Sequence, residues 1–296
     1  MDVGASLLAR ARATGAASIA VVGTSKNAGK TVAVAALCAA LAREGARFGL
    51  CSIGRDGEAL DALDASPKPQ LQLRAGALLA TPAPLLPAHP ALEILASGGE
   101  RSALGALAFA RVRVAGSFLI AGPPSASALR RTVRRLHELG AETVVIDGAV
   151  DRLAALRDGD DAVIVATGAA SGPTLERAVD DLRALVARLR IPRFDAARPA
   201  LRIAGALTAA DAAELIAAGE RRQVVVGDPT QIAFSGRTYT TLAAQLDLRC
   251  ERVLHVVACT VAPRSPERAF DPRRFLQAAA EATGLPVYDV YAGAAA

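Results

Sequence analysis

Short apolar runs rich in β-branched residues recur along the chain, each followed by a longer Ala/Leu/Arg segment whose apolar positions lie three or four apart. An unbroken apolar run suits a strand buried on both faces, and the longer segments have the period of helices that would cover it. The pattern predicts an α/β protein, a mostly parallel sheet with helices on both faces. Strands are expected at Ser18 to Gly23, Phe48 to Ile53, Ser117 to Ala121, Thr143 to Asp147, Ala162 to Ala166, Leu201 to Ala206, Gln223 to Gly227, Val253 to Ala258 and Pro286 to Val290. Helices are expected to begin near Gly29, Ser127, Pro173, Ala209 and Asp271, where Asp271 followed by Pro272 reads as an N-cap and a proline at the first helical position.

Between Asp61 and Arg113 the alternation breaks down, and Pro67, Pro69, Pro82, Pro84, Pro87 and Pro90 mark loops and edge strands there. This stretch reads as an insertion or a β-rich excursion from the sheet. Pro192 and Pro199 flank a non-periodic segment, Ile191 to Ala200, that makes the best soft boundary. The expected division is a first region over 1–195, carrying the irregular insertion near 61–113, and a C-terminal α/β extension over 196–296 that could share its sheet.

Of the 296 residues, 52% are hydrophobic and 21% charged, so a large core can form and wholesale disorder is excluded. The formal charge of +5 conceals a skew: among 34 basic residues only Lys26, Lys30 and Lys68 are lysine, and the rest are arginine. Aromatics make up 3%, tryptophan is absent and the arginines are interleaved with acids, which argues against a nucleic-acid partner. Cys38, Cys51, Cys250 and Cys259 are scattered without zinc-site spacing and read as reduced thiols. The opening residues lack an unbroken apolar stretch, and the longest apolar segment is broken by prolines, so the expectation is a cytoplasmic protein with no membrane partner.

Candidate chemistry concentrates where the first strand ends. Gly23-Thr24-Ser25-Lys26-Asn27-Ala28-Gly29-Lys30-Thr31 joins that strand to an Ala/Val/Leu helix, the context of a phosphate-binding loop. Backbone amides and a helix N-terminus there converge on one volume and favour an anion. Lys30 adds a compact positive charge, and Thr31 supplies a hydroxyl to Mg²⁺. The spacing departs from the strict G-x-x-x-x-G-K-[ST] form, since five residues separate Gly23 from Gly29. Two acids stand at the same sheet edge. Asp147 ends the apolar strand Val144-Val145-Ile146, as a metal- or water-positioning carboxylate would, although a strand-end Asp is also a common turn residue. Asp56, in Gly54-Arg55-Asp56-Gly57-Glu58, could hold Mg²⁺ or simply form an Asp-Gly turn.

The Gly-Thr opening and spacing of the loop resemble those of dethiobiotin synthetase, cobyrinic acid amide synthases and their relatives. In relatives with a second signature lysine, it falls where Ser25 stands here, so Lys26 does not match it. With the 54–58 loop, Pro67-Lys68-Pro69, Ile146-Asp147-Gly148-Ala149 before Asp151-Arg152, Ala166-Thr167-Gly168-Ala169, Gly227-Asp228-Pro229-Thr230 and Pro286-Val287-Tyr288-Asp289-Val290, the chain most resembles the P-loop subunit of the reactivase for lysine 5,6-aminomutase. The resemblance implies a Rossmann-like P-loop NTPase that uses ATP and Mg²⁺ to help an adenosylcobalamin-dependent aminomutase exchange damaged cobalamin, working with a second reactivase subunit. Proteins of this group commonly dimerise, so a homodimer is an expected arrangement. In this reading residues 23–32 bind the nucleotide, Thr31, Asp56 and Asp147 hold the metal, and Lys30, Asp147 and Asp56 form the catalytic set. Lys68 would face the partner or close the site, against the plain alternative of a loop lysine. A dethiobiotin synthetase-like ligase acting on a small carboxylate or carbamate is the alternative. It is disfavoured because Ser52-Ile53-Gly54-Arg55 lacks that enzyme's lysine and Ala149-Val150-Asp151 replaces its Gly-Gly pair. A GTP-dependent metallochaperone is disfavoured because no lysine follows Lys68 to build a guanine motif, and His89, His137 and His255 stand in no ligand or nucleophile context.

Overall fold

A computed structural model of the chain describes residues 1–53, 70–86, 91–148, 156 and 161–296. The elements run α1 (Val3–Arg12), β1 (Ser18–Gly23), α2 (Lys30–Arg43), β2 (Phe48–Ser52), β3 (Leu71–Leu73), β4 (Leu78–Pro82), β5 (Leu92–Ser102), β6 (Gly105–Val112), β7 (Gly116–Phe118), α3 (Ala126–Glu138) and β8 (Thr143–Asp147). They continue with β9 (Asp161–Gly168), α4 (Leu175–Leu189), β10 (Ala200–Arg202), α5 (Ala209–Ala217), β11 (Gln223–Val226), α6 (Gly236–Ala243), β12 (Asp247–Cys250), β13 (His255–Ala262), α7 (Pro272–Thr283) and β14 (Val287–Asp289).

Nine strands form one sheet in the order β14-β13-β9-β1-β8-β2-β4-β6-β5. The seven from β14 to β4 are parallel, and β6 and β5 add an antiparallel hairpin at one edge. The irregular stretch therefore extends the main sheet through β4, β5 and β6. The strand expected from Ser117 begins at Gly116 and pairs antiparallel with β3 in a separate two-stranded ribbon. In the C-terminal third, β10, β11 and β12 make their own parallel sheet, whereas β13 and β14 join the main one.

Alternate residues of the central strands feed two cores. Ile19 and Val21 of β1 pack under α1 and α2, while Ala20 and Val22 face α3, α4 and α7, so helices cover both faces. Strand β1 is buried at all six positions and lies between β8 and β9. From β1 the chain proceeds through α2 to one side of the sheet and later returns to β9 on the other side, followed by α4 on the opposite face. Such a reversal opens a crevice at the carboxyl ends of β1 and β9, where ligands of open α/β sheets bind.

Candidate functional site

The loop at that crevice is shaped by its backbone. One further hydrogen bond, from the Thr24 amide to the Ala166 carbonyl at 3.0 Å, keeps the chain on the β1–β9 ladder, and then it turns sharply. Asn27 is the one non-glycine residue with positive φ, at 59°, among those described, and Gly29 follows at 88° before α2 begins. Gly29 is required twice: its φ is left-handed, and a Cβ there would lie 2.8 Å from the Ala262 Cβ at the end of β13. Five helices start under a side-chain cap, from Asp2, Ser125, Thr174, Thr208 and Asp271. Helix α2 starts at Gly29 with no capping side chain, so its first amides are left to an external acceptor.

Lys30 lies back across the loop mouth. Its stem passes over Gly23, where a Cβ would stand 3.0 Å from the Lys30 methylenes, and its Nζ donates to the Ser25 carbonyl at 2.7 Å. A hydroxyl cluster ties the loop to the turn after β9. Ser171 Oγ lies 2.8 Å from both Thr24 Oγ1 and Ser25 Oγ and accepts from the Gly168 amide at 3.1 Å, while Thr24 Oγ1 donates to Thr167 Oγ1 at 3.0 Å. Ser171 was not among the expected site residues. Its serine type carries no motif, and its place beside the loop arises only from the β1–β9 pairing.

Asp147 ends β8, in register with Val21 of β1 and Ser52 of β2. Its backbone is held by the Ser52 hydroxyl and the Ile53 amide, both donating to its carbonyl, at 3.1 and 3.2 Å. Burial pushes its carboxyl up to about 6, and Lys30 pulls in the opposite direction. The two groups thus sense each other across the crevice, one from the loop helix and one from the neighbouring strand. Gly148 follows because a Cβ would meet the Val21 carbonyl at 2.5 Å.

Of the other expected residues, Thr31 and Val32 occupy the first turn of α2 and are half-buried, Ala28 is buried, and Lys26 and Asn27 are exposed. Asp56, Lys68, Ala149, Asp151, Arg152 and His89 lie outside the described residues. His137 uses its Nδ1 at 2.8 Å from the Ala141 carbonyl to close the end of α3, a structural role. All four cysteines are buried and unbridged, and burial holds the Cys38, Cys51 and Cys259 thiols at about 12, far from a nucleophile's range. Among the described residues no three His, Cys, Asp or Glu side chains gather as a metal cluster. Mg²⁺ does not need one, since it keeps waters and takes one or two protein donors beside phosphate oxygens. Nor is any described helix long and apolar enough to cross a membrane.

Two openings flank the loop. Beyond Ala262 a cavity of about 580 Å³ is lined by Pro263, Arg264, Pro266, Tyr291 and their neighbours. On the other side, Gly23 and Thr24 form one wall of a cleft of about 410 Å³ whose remaining walls are α4 and the start of α6. The chain matches no family model, no curated protein and no solved structure.

Proposed function

We propose that the chain is a P-loop NTPase that binds Mg-ATP over residues 23–32. The observation that carries this reading is the uncapped start of α2 at the end of the central strand, with Lys30 and Asp147 facing one crevice from two elements. More particularly, it is an ATP-dependent reactivase subunit for an adenosylcobalamin-dependent aminomutase, acting with a second reactivase subunit in the cytoplasm. That narrower step rests on the sequence resemblance alone.

In this reading the loop amides and Lys30 hold the phosphates, and Lys30 exchanges the Ser25 carbonyl for a phosphate oxygen. Thr31 and Asp147, with Asp56, hold the metal. Bound Mg²⁺ would neutralise charge on the phosphoryl oxygens. A nucleotide switch would work through the Thr24–Ser25–Ser171 cluster: any shift of the loop strains hydrogen bonds to the turn after β9 and so reaches α4.

Calorimetric titration with Mg-ATP tests the class. Wild type should show saturable binding, and Lys30→Ala should weaken it at least a hundredfold, the scale of losing a charge-assisted contact to phosphate in a desolvated site. No saturable binding to wild type would reject the scheme. ATPase rates with and without a cobalamin-dependent aminomutase test the narrower step. Stimulation by a diaminononanoate-type substrate alone would transfer the assignment to the ligase alternative.

A further inference from the structure

The cleft on the α4 side of the loop is lined by three arginines, Arg177 and Arg188 of α4 and Arg237 of α6, against one acid, Asp181. Arg177 Nε donates to Asp181 Oδ2 at 3.1 Å, which neutralises that pair. Arg188 is only 8% exposed and donates from Nη1 to the Phe234 carbonyl at 2.9 Å, which holds its guanidinium rigidly at the junction of α4 with the small sheet's unit. Arg237 makes no ion pair or hydrogen bond with any described residue, and the Ser235 and Thr238 hydroxyls beside it are likewise unengaged. Helix α6 begins at this wall, and with α2 it is one of two α-helices among the described residues without a capping side chain.

Three guanidinium groups against one carboxylate leave the cleft net positive, a field that draws anions to it most strongly at low salt. Arginine forks favour planar or tetrahedral oxyanions, which they can grip with two parallel hydrogen bonds. The volume lies at the lower end of small-molecule sites and leaves no room for a folded partner.

We propose that this cleft is a second ligand site, distinct from the nucleotide site, for a small acidic molecule carrying carboxylate or phosphate groups. Arg237 holds the anion, with the fixed charge of Arg188 behind it, and Ser235, Thr238 and the first amides of α6 complete its shell. Because Gly23 and Thr24 form the facing wall, an occupant bridges the phosphate loop and the small unit. It therefore acts as acceptor or effector beside the loop, and its binding does not require the nucleotide assignment to be right.

The test is calorimetric titration of the full chain at low salt with glutarate and, separately, with inorganic phosphate, in wild type, Arg237→Ala, Arg237→Lys and Lys30→Ala. In Lys30→Ala, which weakens any phosphate binding in the loop, at least one of the two anions should still saturate one site per chain, and which one does so identifies the source chemistry. Arg237→Ala should weaken it roughly tenfold, Arg237→Lys should restore part of the loss, and Lys30→Ala should leave it within about twofold. Arg237 is exposed, so its removal leaves the fold intact, and an unchanged melting temperature checks this. Binding of neither anion overturns the proposal. So does binding that is indifferent to Arg237→Ala, or binding abolished by Lys30→Ala, which would place the anion in the loop. Absence of Mg-ATP binding alongside intact anion binding would reject the nucleotide reading and leave this one standing.

Discussion

Asp147 carries two opposed demands, and pH separates them. Its ordinary carboxyl value is 3.8, and burial lifts it to about 6 in the fold. A carboxyl raised on folding favours the native state in its protonated form. That contribution is whole below pH 3.8, fades as pH rises and is gone above about 6, so at neutral pH the carboxylate is held at a cost. Asp147→Asn should therefore raise the melting temperature at pH 7.5, by roughly 2–4 °C for about 1 kcal/mol relieved in a chain of this size, and flatten its pH dependence between pH 4 and 6. In the same variant Mg-dependent nucleotide binding should collapse, because the amide is a poor metal ligand. Scanning calorimetry across that range decides the matter; a melting temperature that falls at pH 7.5 would show that the carboxylate is stabilised by contacts rather than strained. Wild-type Mg-nucleotide affinity should also decline as pH drops through about 6 and Asp147 takes up its proton.

At the scale of elements, the parts of the site with a local physical signature were legible. β1, Ser18–Gly23, and β8, Thr143–Asp147, match the apolar runs residue for residue, because strands buried on both faces admit nothing polar before their ends. The Asp271–Pro272 start of α7 is equally local, since the cap satisfies its own helix. Helix α1 was not read from the sequence. Its apolar residues Val3, Leu7, Leu8 and Ala11 are periodic but few, and its stability comes from packing on α2. Gly4 makes that approach possible: a Cβ would lie 2.1 Å from the Ala36 carbonyl oxygen, which is backbone and cannot rotate away. Alanine would gain about 1 kcal/mol in helix propensity, but overpacking against a rigid helix costs about 1–3 kcal/mol. Gly4→Ala should accordingly lose up to about 2 kcal/mol net in urea unfolding; a gain in stability would mean that α1 is free of α2.

The whole molecule divides in a way that local pattern does not announce. An apolar run such as that of β13 looks the same whether it joins the small sheet beside it in sequence or the large sheet across the fold. Only β9, with a bare edge to pair, determines that β13 returns to the main sheet. Residues between α4 and β13 thus form a detour with its own core of Leu207, Val224, Val226, Ile232 and Tyr239. The detour enters and leaves at one place: the Cys250 amide donates to the Pro192 carbonyl at 3.0 Å and the Phe194 amide to the Cys250 carbonyl at 2.9 Å. A chain whose ends already touch can be replaced by a short turn at little loop-closure cost. Deleting 194–250 and joining the ends through a short Gly-Ser turn should leave the nine-stranded sheet folded, since every strand of it lies outside the deletion. Stability should fall, because Ala184, Ile191 and Arg188 become exposed. Circular dichroism should retain the α/β signature, and Mg-ATP affinity should stay within about threefold, the small change expected when no loop contact is lost. Anion binding in the α4 cleft should vanish, because its α6 wall has been removed. If the shortened chain unfolds or aggregates instead, the small unit is part of a single cooperative core, and the 23–31 loop and the cleft cannot be separated by surgery on the chain.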